Sequence, residues 1–184
     1  MSDPHDLRAF WDLAWQHLAR GAADARHPAR YPTFATMSPD GWPEARTVAL
    51  RAAAASTARL EVHTDTETAK MRAIAAAARA ALHVWVPKAD LQIRVQARVE
   101  VITGPDAEAA WQRVPPASRV SYGTQPAPGT PIASVYDYEK PPQRARFAVL
   151  ACHAEAVDLV QLGAQHRRAG YRRDDSFAGV WLAP

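Results

Sequence analysis

Cysteine is almost absent from this chain. A single one, Cys152, occurs in 184 residues, so no internal disulfide can form and a reducing, cytoplasmic setting is expected. No apolar run approaches the length of a membrane span. The opening MSDPHDLRAFW has no basic stretch leading into an apolar one, so no secretory leader is expected. Metal-ligand spacings are missing too. His63, His83, His153 and His166 are scattered, without a His-x-x-x-His pair on a helix or a Cys-x-x-Cys, and no metal site is expected. There is no Gly-x-Ser-x-Gly, which removes the usual serine nucleophile. There is no Gly-x-Gly-x-x-Gly or Walker loop, which removes a Rossmann or P-loop nucleotide site. A net charge of +3, from 22 basic and 19 acidic side chains, is spread along the chain. Aromatic and basic residues do not interleave along one strand, so nucleic acid is not an expected partner.

What is present is a chain able to fold. Hydrophobic residues make up 48%, and the length suits one domain, 1–184, with a substantial core. Leu7, Phe10, Trp11, Ala14 and Leu18 recur at three- and four-residue spacings and predict an amphipathic helix over about 6–21, with Gly21 able to stop it. From about residue 31 the pattern turns to strands. YPTFATMSPDGWPEARTVALR reads as a hairpin turning at Pro39-Asp40-Gly41. ARLEVHT is a further strand, TETAKMRAIAAAAR a helix, and ALHVWVP a strand again. In LQIRVQARVEVI, Leu91, Ile93, Val95, Ala97, Val99 and Val101 alternate strictly with Gln92, Arg94, Gln96, Arg98 and Glu100, the period of a long strand with one face on a core. DAEAAWQRV is a short helix. Residues 115–142, rich in Pro, Gly, Ser and Thr, form a loop too long to be a plain connection. RFAVLACHAEAVDLVQL, AQHRRAGYRR and GVWLAP close the structure as strands. Many strands with few helices between them predict a mainly β, antiparallel α+β fold, closed as a barrel to remove exposed edges.

The stretch VHTDTETAKM, residues 62–71, admits two readings. A helix starting near Thr66 leaves orphan N–H groups, and Thr64 with Glu67 has capping-box spacing. Thr68 and Lys70 put a hydroxyl and an ammonium in the same turn, which is also what a phosphate monoester needs. Arg46 and Arg51 flank the preceding strand run. They are either two exposed arginines or neighbours of that turn, because consecutive strands usually lie side by side.

Taken in order, RTVALR, HT followed by T-A-K, and LQIRVQARVEV resemble the pyridoxamine 5'-phosphate oxidase family of FMN-binding split barrels, over most of the chain to the WLAP terminus. The resemblance implies a homodimer of six-stranded barrels with FMN at the interface and a small-molecule substrate. It assigns Arg46, Thr47, Val48 and Arg51 to the cofactor strand, and His63 with Thr64 to the place beside the flavin. Thr68 and Lys70 fall to the phosphate and Gln92 to the ring. Ser118 corresponds to a substrate-phosphate serine, and HRRAGYRR, from His166, to a substrate motif. Ala69, Ala110, Val114 and Val160 stand where the family carries arginine, tyrosine, arginine and tryptophan. The FMN half of the pattern is kept and the vitamin-substrate half mostly lost, which implies a related flavin oxidoreductase. A flavin sensor or carrier and a haem-binding barrel are the alternatives. Among the C-terminal arginines, Arg167 or Arg168 contacts the flavin or the cluster is a solvated strand face. No feature selects a catalytic acid or base.

Overall fold

The computed structural model describes residues 5–184. Helix α1, Leu7–Ala23, is capped by the Asp6 carboxylate, which accepts from Ala9 N–H at 3.0 Å. It buries Phe10, Trp11, Ala14, Trp15 and Leu18 against the sheet. It runs past Gly21, so that glycine is not its stop. A Cβ there would lie 2.5 Å from the Ala29 carbonyl carbon, and Gly21 allows the chain to fold back closely.

Nine strands follow: β1 Thr33–Met37, β2 Pro43–Thr47, β3 Leu50–Ala54, β4 Arg59–Asp65, β5 Arg79–Val86, β6 Leu91–Ile102, β7 Phe147–Gln161, β8 Arg167–Arg172 and β9 Val180–Leu182. Helix α2 spans Ala69–Ala76 and α3 spans Glu108–Gln112. The strands form one sheet in the order β2-β1-β5-β6-β7-β4-β3, with β8 on β7 and β9 on β8, and every pairing is antiparallel. The 15-residue β7 organises it. Its first half pairs with β4, its second half with β8, and β6 runs along its other side. One edge of β7 thus serves two partners, which splits the barrel. The count exceeds the six strands implied by the resemblance because the edge strands β8 and β9 join the same sheet and the RTVALR segment is divided between β2 and β3.

Strict alternation in β6 is met in space: Leu91, Ile93, Val95, Ala97 and Val99 are buried, while Arg94, Gln96, Arg98 and Glu100 are exposed. Residues Phe147–Cys152 of β7 are buried without alternation. Leu150 and Cys152 face the main core, whereas Phe147 and Val149 face a second cluster formed with Ala110, Trp111 and Tyr122 around α3. Each fully buried aliphatic side chain contributes roughly 1.5–3 kcal/mol, so α3 holds its loop firmly to β7.

Two expectations change here. RTVALR is not one strand: β2 ends at Thr47, β3 begins at Leu50, and a bulge lies between Leu50 and Ala52. The capping box of Thr64 and Glu67 does not form. Thr64 is still in β4, and the Glu67 N–H is taken by the Asp65 carboxylate at 2.8 Å. The helix therefore starts at Ala69, after Thr68. Residues 115–142 hold no strand longer than an isolated bridge, Gln125 to Glu139, and include a 3-10 turn over Pro116–Ser121.

Candidate functional site

Chain alternation divides the expected site residues among three places. The first is the end of the barrel interior, where β4 turns into α2. Thr64 shares the inner face of β4 with Leu60 and Val62. Its hydroxyl lies 3.2 Å from that of Thr68 and accepts from Lys70 Nζ at 3.1 Å. Arg46, on the inner face of β2, donates to Thr36 Oγ1 and to Glu44 Oε2, both at 2.7 Å. Lys70 is held below the usual ammonium value, chiefly by burial and next by the Arg46 guanidinium, with Asp65 acting in the opposite direction. Two cations therefore sit near each other over two hydroxyls. Among the described residues Lys70 makes no ion pair with a carboxylate. Ala69, exposed at the start of α2, adds nothing to this charge.

The second place lies on the other face of β4. Because neighbouring residues of a strand point to opposite sides, His63 faces away from Thr64. With Arg51 it lines a pocket of about 260 Å³ shared with Arg30, Glu61, Arg113 and Val114. Arg51 does not join Lys70, a correction to the expectation that both arginines neighbour that turn: five residues from Arg46, it lies on the opposite face, with His63. Burial, then Arg51, Arg113 and Arg30, push His63 down to about 4, so its ring is neutral near pH 7. Both ring nitrogens, and the Nε of Arg30 and of Arg51, are buried without a hydrogen-bond partner. Arg30 is fixed by donating to Ala22 O at 2.8 Å and Leu50 O at 3.0 Å. The one acid of the pocket, Glu61, is engaged by Arg59. Unpaired buried donors around three guanidinium groups make this a place for an anion.

The third place is the outer face of β1, β5, β6, β7 and β8. Gln92 sits there, opposite Trp85 on β5 and Val160 on β7, and its carbonyl oxygen lies 3.3 Å from His83 Nε2. Arg168 is one strand beyond Val160 and makes a two-pronged contact to Asp158 at 2.9 and 3.1 Å. Arg94 reaches the same carboxylate at 3.1 Å. Register separates the two arginines left open by the sequence. Arg168 shares the Gln92 face, whereas Arg167 lies over the Phe10 ring at 4.2 Å and donates to Gln161. Thr47 is exposed on the outer face opposite Thr33, and Val48 is buried. A groove of about 1000 Å³ is lined by Met37, Ala81 and Arg98 and also by Thr36, the partner of Arg46.

Ser118 is half-buried in its 3-10 turn and lies outside the lining of the basic pocket, while His166 is exposed in the turn before β8. Asp65 and Arg146 were not foreseen. They form a buried pair, with Arg146 Nε and an Nη on Asp65 Oδ1 at 3.0 and 2.8 Å, and no local pattern signals a partner 81 residues away. Arg30 and Arg113 were missed for the same reason. Among the described residues no cluster of three or more metal-ligating side chains occurs, and no helix is long and apolar enough to cross a membrane.

Comparisons with known proteins place the family and the fold. The sequence model of the pyridoxamine 5'-phosphate oxidase FMN-binding domain matches residues 10–103, just over half of the chain. A pyridoxine/pyridoxamine 5'-phosphate oxidase of Anaeromyxobacter dehalogenans (strain 2CP-C) is 35% identical over 117 residues, which are 64% of this chain and 56% of that protein. The match thus spans little more than half of that relative's length. A pyridoxamine 5'-phosphate oxidase-related, FMN-binding protein of Nostoc punctiforme PCC 73102 superposes with a TM-score of 0.77 at 27% identity, covering 95% of this chain and 97% of the other. PhzG of Burkholderia lata 383, solved with tetrahydrophenazine-1-carboxylic acid, shares the fold with a TM-score of 0.71 at 18% identity, over 99% and 95% of the two chains. The chain belongs to the pyridoxamine 5'-phosphate oxidase FMN-binding family and has its split-barrel fold.

Proposed function

We propose that the protein is an FMN-dependent oxidoreductase acting on a small anionic organic substrate, as a homodimer in the cytoplasm. The observation that carries this reading is the pairing of Arg46 and Lys70 above the Thr64 and Thr68 hydroxyls. Burial and the Arg46 charge disfavour the Lys70 ammonium, and a phosphate dianion offsets both effects. FMN, when bound, supplies the two-electron acceptor, and the protein supplies position and electrostatics. Thr47, at the end of β2, and Val48, just beyond it, follow Arg46 directly in the chain. The Gln92 amide offers a donor and an acceptor to the polar edge of the ring, with Arg168 two strands away on the same face and Arg167 held elsewhere.

The basic pocket gives the substrate its class. Arg30, Arg51 and Arg113 attract an anionic group, and neutral His63 adds one donor and one acceptor. His63 can hold a proton at one ring nitrogen without adding charge to three arginines. Val114 and Ala110 offer no polar group, so a substrate bound through this pocket leans on different residues from those of the vitamin-phosphate pattern. The outer sheet face, with Met37 49% and Trp85 39% exposed beside Ala45 and Ala81, is the surface a second copy covers.

Anaerobic reduction tests the activity. Flavin-loaded protein is mixed with NADH, NADPH or pyridoxamine 5'-phosphate and the flavin absorbance is followed. Bleaching by a donor, lost in Arg51→Ala, supports an enzyme whose substrate enters the basic pocket. A flavin that none of these donors bleaches favours the carrier or sensor reading.

A further inference from the structure

Asp65 is buried, with 3% of its surface exposed, and touches more of the chain than a strand-end residue needs to. Its Oδ2 accepts from Gly123 N–H at 2.7 Å, and its Oδ1 accepts from Glu67 N–H and from the Arg146 guanidinium. Gly123 and Arg146 are the two ends of one excursion of the chain. Arg146 O accepts from Thr66 N–H at 2.9 Å, and Gln143 N–H donates to Tyr122 O at 2.7 Å. A single carboxylate thus pins both ends of residues 123–146. Its own backbone oxygen accepts from the Thr68 hydroxyl at 2.9 Å and from the Thr64 hydroxyl at 3.3 Å. Those are the hydroxyls of the proposed phosphate seat.

We infer that Asp65 is a positioning residue that couples phosphate binding at Thr64, Thr68 and Lys70 to the docking of residues 123–146; this rests on the FMN reading given above. The Arg146 guanidinium neutralises the carboxylate, so it does not repel a phosphate close by. With its side chain held from both sides, the carbonyl of Asp65 fixes where the two hydroxyls lie. Coupling runs both ways: a phosphate that orders the hydroxyls tightens the clasp, and a docked segment tightens the phosphate seat.

Charge and position predict opposite outcomes for one substitution. Asp65→Asn removes a negative charge next to the seat and leaves Arg146 paired with Glu67 alone, at 3.3 Å, which by electrostatics alone strengthens FMN binding. As a positioning residue, Asp65 keeps only one acceptor oxygen in this variant, cannot hold Arg146 and Gly123 N–H together, and FMN binding weakens. The full chain and its variants are titrated with FMN and with riboflavin, which lacks the phosphate, by quenching of flavin fluorescence. Chymotrypsin cleavage at the exposed Tyr136 and Tyr138 reports on the segment. In the unmodified protein FMN, but not riboflavin, is expected to slow this cleavage. In Asp65→Asn the FMN affinity falls tenfold or more, riboflavin affinity is unchanged, and FMN no longer slows cleavage. Arg146→Gln, which leaves a bare carboxylate beside the seat, lowers FMN affinity in the same way and serves if Asp65→Asn does not fold. An Asp65→Asn protein that binds FMN as tightly as before or more tightly, with protection retained, overturns the inference. An unmodified protein with no preference for FMN over riboflavin overturns the phosphate seat itself, and the coupling with it.

Discussion

Replacing Lys70 with methionine should separate binding from stability. Methionine keeps the length and apolar stem of lysine and removes only the ammonium. In the folded chain Lys70 is held below its ordinary value of 10.5, first by burial and then by Arg46, so the unliganded fold bears a cost for this charge. The unfolded chain binds the extra proton between the lowered value and 10.5, and the stability of the unliganded protein therefore rises as pH climbs through that window. Lys70→Met removes this rise. It gives up one hydrogen bond to Thr64, worth about 1 kcal/mol, against relief of the buried charge, so its melting temperature near pH 7 should be unchanged or higher. FMN affinity should move the other way. A hydrogen bond to a charged group contributes about 1.5–3 kcal/mol, which corresponds to roughly 10- to 150-fold in Kd. Riboflavin affinity should stay the same. Thermal melting of the unliganded variant and fluorescence titration with both flavins check this directly. A variant that melts far lower yet binds FMN as before would refute the reasoning, because Lys70 would then be a structural contact and no part of a phosphate seat.

Two further outcomes are expected. Burial and three arginines hold His63 at about 4, below its unperturbed value of 6.5, so stability should be lost as pH falls from 6.5 toward 4. His63→Leu should flatten that limb in urea unfolding between pH 4 and 8, and an unchanged limb would remove His63 from the account. Gly179 has φ +86, and a Cβ there would lie 2.5 Å from the Tyr171 ring. Gly179→Ala should therefore destabilise by on the order of 2 kcal/mol or more, read as a lower urea midpoint. A neutral effect would mean that β8 and β9 shift freely.

The fold was legible wherever one face of an element meets a core. The period of two in Leu91–Val99 and the helical spacing of Phe10, Trp11, Ala14 and Leu18 are direct records of burial, and both elements stand where they were expected, although Val101, which continues the alternation, is exposed at the strand end. β7 was legible as a strand but not as one buried on both faces, because the second cluster around Trp111 and Tyr122 comes from a distant segment. The site was legible in its local parts, as Thr64, Thr68 and Lys70 lie within one turn. Its partition was legible only in part. Arg46 and Arg51, five residues apart, lie on opposite faces as strand alternation alone requires, whereas the break after Thr47 and the bulge after Leu50 are announced by no residue type. The start of α2 was misplaced because Asp65 holds the Glu67 N–H and Arg146 together. That competition depends on a partner 81 residues away. Arg167 and Arg168 are interchangeable in sequence, and only the register of β8 on β7 separates them.

The central claim is most directly tested by the colour of the purified protein. Its visible spectrum is recorded before and after addition of FMN, and the chromophore released on denaturation is identified. Flavin bands near their usual positions and released FMN, or stoichiometric uptake of added FMN, are the expected result. A colourless protein that takes up no FMN, or one that carries haem, would contradict the account.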